Sequence, residues 1–384
     1  MIKKLIIVTT LAFAIISLHA PYVTAAEDRF IRVAILKDVS ECSLVIKGEF
    51  TIYALYTGDE LQRARRLPKT IVTPLSNGIK FGSEVFPLVG IKIIPEKDAS
   101  IYVNKRRYRG EIDIIRQKSI KLLVINRLNV ENYIKGVLYH EVDHKWPLEA
   151  IKAQAVATRT YAYYQMDFMK RQDYDVTSDI YSQVYGGKTS EKLRPTIAVR
   201  RTRHEVLTYN GKIFPAFFHA TCAGHTEDAS SLWDIDLPTL KGVRCDFCKK
   251  SPHCNWKRNL QLKDIQDKLL KHGLDIWLIK DIKIVRRNPS GRIIDLRITD
   301  RKGKSITMSG KDFRQIVGPN IIRSNDYEVI MKGYYVDFLG HGWGHGVGLC
   351  QWGANFMSRK GMSYRQILRF YYPQAEIVNV LKRF

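Results

Sequence analysis

The sequence predicts an α+β fold that combines a mixed β-rich core, a long central helix and a loop-rich insertion. Short β-type segments are concentrated in residues 27–127, and helical patterns follow as separate elements within residues 128–384. A loop-like stretch rich in cysteine and histidine lies at 219–254. Because strands and helices are segregated along the chain and do not alternate, the pattern is typical of an α+β fold.

Residues 1–26 precede this fold and have the pattern of a secretory signal peptide. Lys3 and Lys4 form a basic start, residues 5–18 are apolar, and small residues offer cleavage at 23–25 or 24–26. The apolar run is shorter than the roughly 20 residues that span a bilayer, which favours cleavage over an uncleaved anchor. We therefore expect an exported protein, periplasmic or otherwise extracytoplasmic, that is peripheral to a membrane at most.

The chain is strongly basic, with 62 Lys and Arg against 38 Asp and Glu and a net charge of +24. In a cytosolic protein this excess would suggest nucleic acid, but an exported protein meets other polyanions, such as cell-wall polymers and anionic lipids. We therefore expect no nucleic-acid partner. A general Lys and Arg bias of the source proteome explains the same charge and stays open. The 45% hydrophobic content supports a buried core and argues against disorder.

The β-rich part at 27–127 is predicted from six short segments with β-branched and aromatic residues. These segments are 32–36, 43–46, 51–55, 91–95, 101–103 and 122–127. We expect them to form the N-terminal part of the domain.

Two helices are predicted next. Asn129 is a candidate N-cap for a helix that runs to about His140, because its side chain can accept from a free backbone N–H. Pro147 suits the first position of a long helix that runs to about Arg171. The remaining predicted elements are a hairpin at 282–298, a helix at 311–317, a Gly-rich loop at 341–353 and a helix at 364–372.

The connection between the two helices contains a candidate acid, Glu141. Lys152 and Arg159 lie seven residues apart in the second helix, so two turns place them on one face about 10 Å apart. A helix start and nearby cations would lower the pKa of Glu141, whereas burial would raise it. A general acid requires that burial dominates. A solvated carboxylate with two surface cations explains the same pattern, and the sequence leaves this choice open.

The residues around Glu141 resemble a known family, the stage II sporulation protein D family with its SpoIID/LytB domain. The similar segments are 133–141, 146–161, 313–324 and 344–354. The resemblance extends from about Arg29 to Tyr372. Where the family often has a small residue before the glutamate and a Met-Pro type pair after it, this chain has His140 and the pair Val142-Asp143.

This resemblance implies cleavage of peptidoglycan. Characterised members resemble lytic transglycosylases that cut glycan strands from which stem peptides have been removed, and other members are amidase enhancers. The family's catalytic glutamate corresponds to Glu141, and its helix lysine and arginine correspond to Lys152 and Arg159. One acid suffices for this chemistry, because it can protonate the glycosidic oxygen and then take a proton from the C6 hydroxyl as a 1,6-anhydro ring closes. A hydrolase usually needs a second carboxylate, for which Asp143 and Glu149 stay open.

The stretch at 219–254 combines thiols and imidazoles. Cys245 and Cys248 form a C-x-x-C pair about twenty residues after Cys222, a spacing that suits a closed tetrahedral zinc site. The expected ligands of a structural zinc ion are Cys222, Cys245, Cys248 and either His225 or His253. A Cys245–Cys248 or Cys222–Cys254 disulfide is the alternative in an oxidising compartment.

The Gly-rich loop at 341–353 contains His341 and His345, four residues apart. Glycine at every second place disfavours the helix that joint metal binding by this pair would need. Close approach of the backbone to a sugar, with His345 or Gln351 as donor, is the better functional hypothesis. A tight packing loop is the alternative.

Three functions are compatible with these features. The first is a peptidoglycan lytic transglycosylase with Glu141 as general acid/base. The second is a non-catalytic wall-binding protein that stimulates a cell-wall amidase, and the third is a zinc hydrolase. Peptidoglycan glycan strands are the expected partner in the first two.

Overall fold

The structure is a computed structural model that describes residues 29–179 and 182–382. The expected signal peptide at 1–26 lies outside the described residues. Residues 30–129 form strands and no helix, and helices and strands are interspersed in residues 130–382. The strands pair mainly antiparallel within the sheets, which confirms the α+β prediction. Within the described part, no helix is both long and apolar enough to cross a membrane.

The first part of the chain builds one large sheet. Its strands are β1 (Phe30–Val39), β2 (Cys42–Ala54), β3 (Glu60–Leu75), β4 (Gly78–Phe81), β5 (Glu84–Phe86), β6 (Gly90–Pro95), β7 (Ser100–Val103), β8 (Arg106–Tyr108), β9 (Glu111–Arg116), β10 (Leu122–Asn129) and β11 (Val176–Thr177). Their spatial order is β11-β1-β10-β9-β6-β2-β3-β4-β5, while β7 pairs with β2 and β8 pairs with β7.

The six segments predicted from sequence lie in β1, β2, β6, β7 and β10. Strand β2 shows why the prediction works there, since Cys42, Leu44 and Ile46 are buried while the residues between them are not. Strands β4, β5, β8, β9 and β11 were not predicted, and neither was β3, the longest of these six. Its arginine-rich sequence has no clean apolar alternation, and it becomes a strand through its long antiparallel pairing with β2.

Two helices follow the large sheet, α1 (Val130–Glu141) and α2 (Leu148–Phe168). As predicted, the side chain of Asn129 caps α1 by accepting from the backbone N–H of Glu131 at 2.8 Å. Pro147 occupies the cap position just before α2 and not the first helical position. Alanine is the best helix former and leaves room for close neighbours. The buried alanines of α2 are Ala150, Ala153, Ala155, Ala157 and Ala162.

The chain then continues through the predicted loop-rich insertion. The elements are α3 (Leu193–Arg201), β12 (Glu205–Tyr209), β13 (Lys212–Ile213) and β14 (Phe218–His219). Between β14 and residue 254 the structure has three short 3-10 helices, Ala229–Ser231, Pro238–Leu240 and Phe247–Lys250.

Residues 255–341 form a second β-rich unit with a core of its own. Its elements are β15 (Asn255–Gln261), α4 (Leu262–Lys271), β16 (Ile279–Arg287), β17 (Ile293–Asp300), β18 (Ser305–Ser309), α5 (Gly310–Val317), β19 (Tyr327–Lys332) and β20 (Tyr335–His341). The predicted hairpin is the β16–β17 pair.

The last part of the chain returns to α2. Its elements are β21 (Leu349–Cys350), α6 (Gln351–Arg359), α7 (Tyr364–Tyr371) and β22 (Glu376–Asn379). Strand β21 pairs in parallel with β14, and β22 pairs with β12. The short β14–β21 pair therefore joins the insertion to the Gly-rich loop.

Candidate active site

Two cavities adjoin at Glu141. The inner cavity, of about 350 Å³, is lined by Glu141, Tyr161, Ser182, Gln183, Val184, Phe217, Phe218, His219, Ala220, Trp233, Arg314, Trp343, Gly344, His345 and Gln351. The outer cavity, of about 730 Å³, is lined by Tyr139, His140, Glu141, Val142, Asp143, His144, Lys145, Trp146, Ala220, His253, Trp343, Gln351 and Trp352. Glu141, Ala220, Trp343 and Gln351 line both, so Glu141 can reach the middle of an extended ligand that occupies both.

Glu141 is the last residue of α1 and does not lie in the connection between the helices. This end of a helix is electronegative, so the expected lowering of its pKa by a helix start does not apply. Burial raises the pKa of the Glu141 carboxyl to about 7, although hydrogen bonds from Gln351 and the Val184 backbone lower it. A carboxyl that titrates near neutrality can both donate and accept a proton under ordinary conditions.

Gln351, the first residue of α6, is the side-chain partner of Glu141. Its Nε2 donates to Oε2 of Glu141 at 3.3 Å. The preceding Cys350 caps α6, because its Sγ accepts from the backbone N–H of Gly353 at 3.3 Å. The predicted site residue Gln351 therefore lies next to Glu141 and binds it directly.

The Gly-rich loop packs closely against β14. A Cβ at Gly344, where φ is +114°, would lie 2.7 Å from Cβ of His219. A Cβ at Gly348 would lie 2.1 Å from the backbone oxygen of Phe217. The glycines thus permit a close backbone approach that places His345 in the inner cavity.

His219 and His345 lie side by side in the inner cavity, with ring centroids 5.7 Å apart. Nδ1 of His219 lies 3.1 Å from the Val347 carbonyl, so this nitrogen carries the proton and Nε2 is an acceptor. The backbone N–H of Val347 donates to Nδ1 of His345 at 3.1 Å. Burial lowers the pKa of both rings, that of His219 to about 3. Both are neutral at neutral pH.

Arg159, which we expected near Glu141, pairs with a different acid. Its Nε and Nη2 each donate to Glu131 at 2.8 Å, and its Nη1 donates to the Glu205 carbonyl. The side chain is 0% exposed and lines neither cavity. In the structure Arg159 joins α1, α2 and β12.

Lys152 also binds elsewhere. Its Nζ donates to Oε1 of Glu149 at 2.7 Å and lies 4.3 Å from the ring centroid of Tyr364. The other carboxylate oxygen of Glu149 accepts from the backbone N–H of Tyr364. Lys152 and Glu149 therefore fasten α2 to α7, and neither lines a cavity at Glu141.

Asp143 is the second carboxylate that lines a cavity with Glu141. It is exposed, and its Oδ1 accepts from the backbone N–H of Lys145 at 2.9 Å. Asp143 is therefore in fuller contact with water than Glu141, which is half-buried.

Four cysteines converge beside this site. The Sγ atoms of Cys222, Cys245, Cys248 and Cys350 all lie within 4.8 Å of one another, and all four residues are buried. In a tetrahedral zinc site with Zn–S distances of about 2.3 Å, sulfurs lie about 3.8 Å apart. Four buried thiols at this spacing fit such an ion, and each cysteine is free of disulfides.

The expected histidine ligands are not part of this cluster. His225 Nδ1 faces the carbonyl of Thr226, and the His253 ring packs against Trp343 in the wall of the outer cavity. Sequence reasoning missed Cys350 because it is isolated from the other thiols along the chain. Only the fold reveals it. The β14–β21 pairing places Cys350 opposite His219, and His219 precedes Cys222 by three residues.

Comparison with known proteins identifies the family. Residues 118–209 match the model described as SpoIID, stage II sporulation protein, and residues 244–348 match a domain of unknown function, DUF8618. An uncharacterized protein of Brachyspira hyodysenteriae is 31% identical over 358 residues, which cover 92% of this chain and 94% of the relative.

Two relatives from Bacillus subtilis have descriptive names. Stage II sporulation protein D is 30% identical over 270 residues, covering 66% of this chain and 75% of the relative. A protein named amidase enhancer is 25% identical over 293 residues, covering 64% of this chain and 40% of the relative. The chain belongs to the stage II sporulation protein D family, as its motifs predicted.

Proposed function

We propose that this protein acts outside the cytoplasm on peptidoglycan and cleaves its glycan strands as a lytic transglycosylase. The observation that carries the proposal is the position of Glu141, a carboxyl with a pKa of about 7 at the junction of two cavities. The similarity to stage II sporulation protein D and to the amidase enhancer supports a role at the cell wall. The signal-peptide pattern at 1–26 supports export.

Glu141 would act twice in one turnover. Its protonated carboxyl donates the proton to the glycosidic oxygen, and the bond between that oxygen and the anomeric carbon breaks. The Glu141 carboxylate then accepts the proton of the C6 hydroxyl while the C6 oxygen bonds to the anomeric carbon. The products are a 1,6-anhydro sugar end and a free hydroxyl on the departing sugar, and Glu141 has its proton again.

The amide of Gln351 would support both steps. Its N–H₂ donates to Glu141, which favours the carboxylate form after the first proton transfer. Lys152 and Arg159 would act indirectly, by holding α2 against α1 and α7. Asp143 is the candidate base for water if the product is a hydrolysed end instead.

Zinc is the metal that the four-cysteine cluster fits best, held by Cys222, Cys245, Cys248 and Cys350. It would cross-link β21, which contains Cys350, to the insertion, which contains the other three cysteines. Four thiolates leave no open position for substrate, so the role of the ion would be structural. The closed ligand set argues against a zinc hydrolase.

Purified glycan strands, with and without stem peptides, should be digested with wild type, Glu141→Gln and Asp143→Asn. Mass spectrometry should find 1,6-anhydro ends with wild type and Asp143→Asn, and a loss of at least about 10²-fold for Glu141→Gln. Undiminished products from Glu141→Gln would overturn the proposal.

A second candidate function is binding without cleavage, as a stimulator of an amidase. The relative named amidase enhancer favours it. Wild type that binds strands, releases no products and accelerates a cell-wall amidase would establish this alternative.

A further inference from the structure

The second β-rich unit exposes apolar side chains beside the start of β16. Residues 276–279 are four consecutive apolar residues. Ile276 and Ile279 are buried in the core of this unit. Between them, Trp277 is 48% exposed and Leu278 is 42% exposed. Keeping such side chains in water is costly, and adjacent exposed apolar groups are typical of a surface that binds another surface.

A further exposed aromatic ring comes from a different turn. Tyr334, in the turn between β19 and β20, is 73% exposed. The turn between β17 and β18 contacts both aromatic residues. The guanidinium carbon of Arg301 lies 5.2 Å from the ring centroid of Tyr334, and Nζ of Lys302 lies 4.4 Å from that of Trp277. Two exposed rings and two cations therefore share one surface.

Hydrogen bonds hold these turns together. The backbone N–H of Arg301 donates to the Leu278 carbonyl at 2.8 Å. The carboxylate of Asp300, which is 1% exposed, accepts from the backbone N–H groups of Trp277 at 3.3 Å and Lys302 at 2.8 Å. The surface is thus preformed. We call it the aromatic patch, and it consists of Trp277, Leu278, Arg301, Lys302 and Tyr334.

The aromatic patch has an excess of positive charge. Among residues 29–179 and 182–382, no carboxylate forms an ion pair with Arg301 or Lys302. Asp275 and Asp281, which lie close by in the chain, each pair with a lysine outside the patch. Asp300 is buried beneath the turn. The patch therefore attracts anions and repels the same patch on a second copy of the chain.

The composition of the aromatic patch suits a membrane surface. Trp and Tyr are enriched where proteins meet the interface between lipid and water, because their rings combine an apolar body with a polar group. Arg and Lys beside them attract anionic headgroups, and an exposed leucine adds apolar area that lipid can cover. The net charge of +24 adds attraction at longer range.

We propose that the aromatic patch docks this protein on an anionic lipid surface. Trp277, Leu278 and Tyr334 enter the interfacial region of the bilayer, while Arg301 and Lys302 bind the phosphates of anionic headgroups. The proposal goes beyond glycan cleavage and does not depend on it, because the binding of lipid requires no glycan.

Vesicle sedimentation tests the proposal. The chain without residues 1–26 is used throughout, because the apolar run at 5–18 would itself bind vesicles. We expect vesicles of equal parts phosphatidylcholine and phosphatidylglycerol to bind at least about tenfold more tightly than vesicles of phosphatidylcholine alone, since each cation at the surface contributes several-fold. Equal binding to both kinds of vesicle, or binding to neither, would overturn the proposal.

Charge variants then locate the contact. Arg301→Gln/Lys302→Gln should weaken binding to the anionic vesicles about tenfold or more. The matched control is Arg66→Gln/Lys69→Gln, which removes one arginine and one lysine from exposed positions on β3 and should retain most of the binding. Equal losses in the two variants would mean that overall charge, and not the aromatic patch, causes binding.

The apolar side chains are tested separately. Leu278→Ser should weaken binding several-fold, whereas Leu193→Ser, at a position on α3 that is 79% exposed, should not. The fluorescence of Trp277 is the difference between wild type and Trp277→Phe, and lipids with brominated chains should quench it. Vesicle binding without this quenching would contradict the assignment of the surface.

Inorganic polyphosphate distinguishes a lipid surface from a soluble polyanion. If polyphosphate binding depends on Arg301 and Lys302 while Leu278→Ser binds vesicles as wild type does, the patch is a site for soluble polyanions and the membrane proposal is wrong. Circular dichroism of each variant checks that a loss of binding is not a loss of folding.

Discussion

Gln351 donates a hydrogen bond to Glu141 at 3.3 Å, although 210 residues separate the two in the chain. Glu141 ends α1, and Gln351 begins α6. The neutral amide binds the carboxylate without the large lowering of the pKa that a cation would cause. The site therefore keeps an acid whose proton is available near neutral pH.

Removing the charge of Glu141 should make the protein less sensitive to pH. Its pKa of about 7 exceeds the ordinary value of 4.5, so the folded state binds the proton more tightly than the unfolded state. That stabilisation is fully present below pH 4.5 and is lost as the pH rises to about 7. Between pH 4.5 and about 7, the free energy of unfolding of Glu141→Gln should therefore fall by about 1–3 kcal/mol less than that of wild type. Urea unfolding of both proteins at pH 4.5 and pH 8 measures this difference. The same change in unfolding free energy in wild type and Glu141→Gln would contradict the prediction.

The rate of strand cleavage should fall as the pH rises through about 7, because the first step needs the protonated form of Glu141. Gln351→Leu should move this fall to higher pH, since the lost hydrogen bond lowers the pKa in wild type. The measurement is the pH profile of kcat/KM. A fall at the same pH in both proteins would mean that another group controls the rate.

Cys350→Ser should weaken metal binding. One of four converging thiols is lost, and zinc sites with four protein ligands depend on each of them. We expect the zinc content after dialysis to fall well below one ion per chain, together with a lower Tm. Cys254→Ser is the matched control, because this nearby cysteine is not in the cluster. Equal zinc contents for the two variants would exclude Cys350 as a ligand.

Arg159→Leu should destabilise the fold. The substitution leaves the Glu131 carboxylate, 7% exposed, without its bidentate partner. Breaking a buried ion pair on one side costs about 3–5 kcal/mol. Chemical denaturation measures the loss. Glu131→Gln/Arg159→Leu should recover part of it, and a double variant no more stable than Arg159→Leu would show that the isolated charge is not the cause.

Local sequence patterns correctly predicted those helices and strands whose formation depends on residues close to one another in the chain. The cap at Asn129, the helix after Pro147 and the apolar segments of the large sheet follow from neighbours within a few residues. The arginine-rich β3 was missed because its partner β2, and not its own pattern, makes it a strand.

The site shows the same division. Family motifs located Glu141, His345 and Gln351, and the structure brings all three into one cavity. Sequence could not decide the balance of effects on the Glu141 pKa, because burial depends on residues far along the chain. The sequence also did not show that Cys350, and not a histidine, joins the other three cysteines. The position of Cys350 follows from the pairing of β14 with β21.

The pairing of β14 with β21 also has a temporal consequence. Glu141 is synthesised 210 residues before Gln351, and the cysteine that precedes Gln351 is the last of the four to emerge from the ribosome. A chain that stops anywhere between them contains the acid but lacks both its amide partner and a complete thiol set. The pairing of Glu141 with Gln351 therefore forms only after synthesis has passed residue 351.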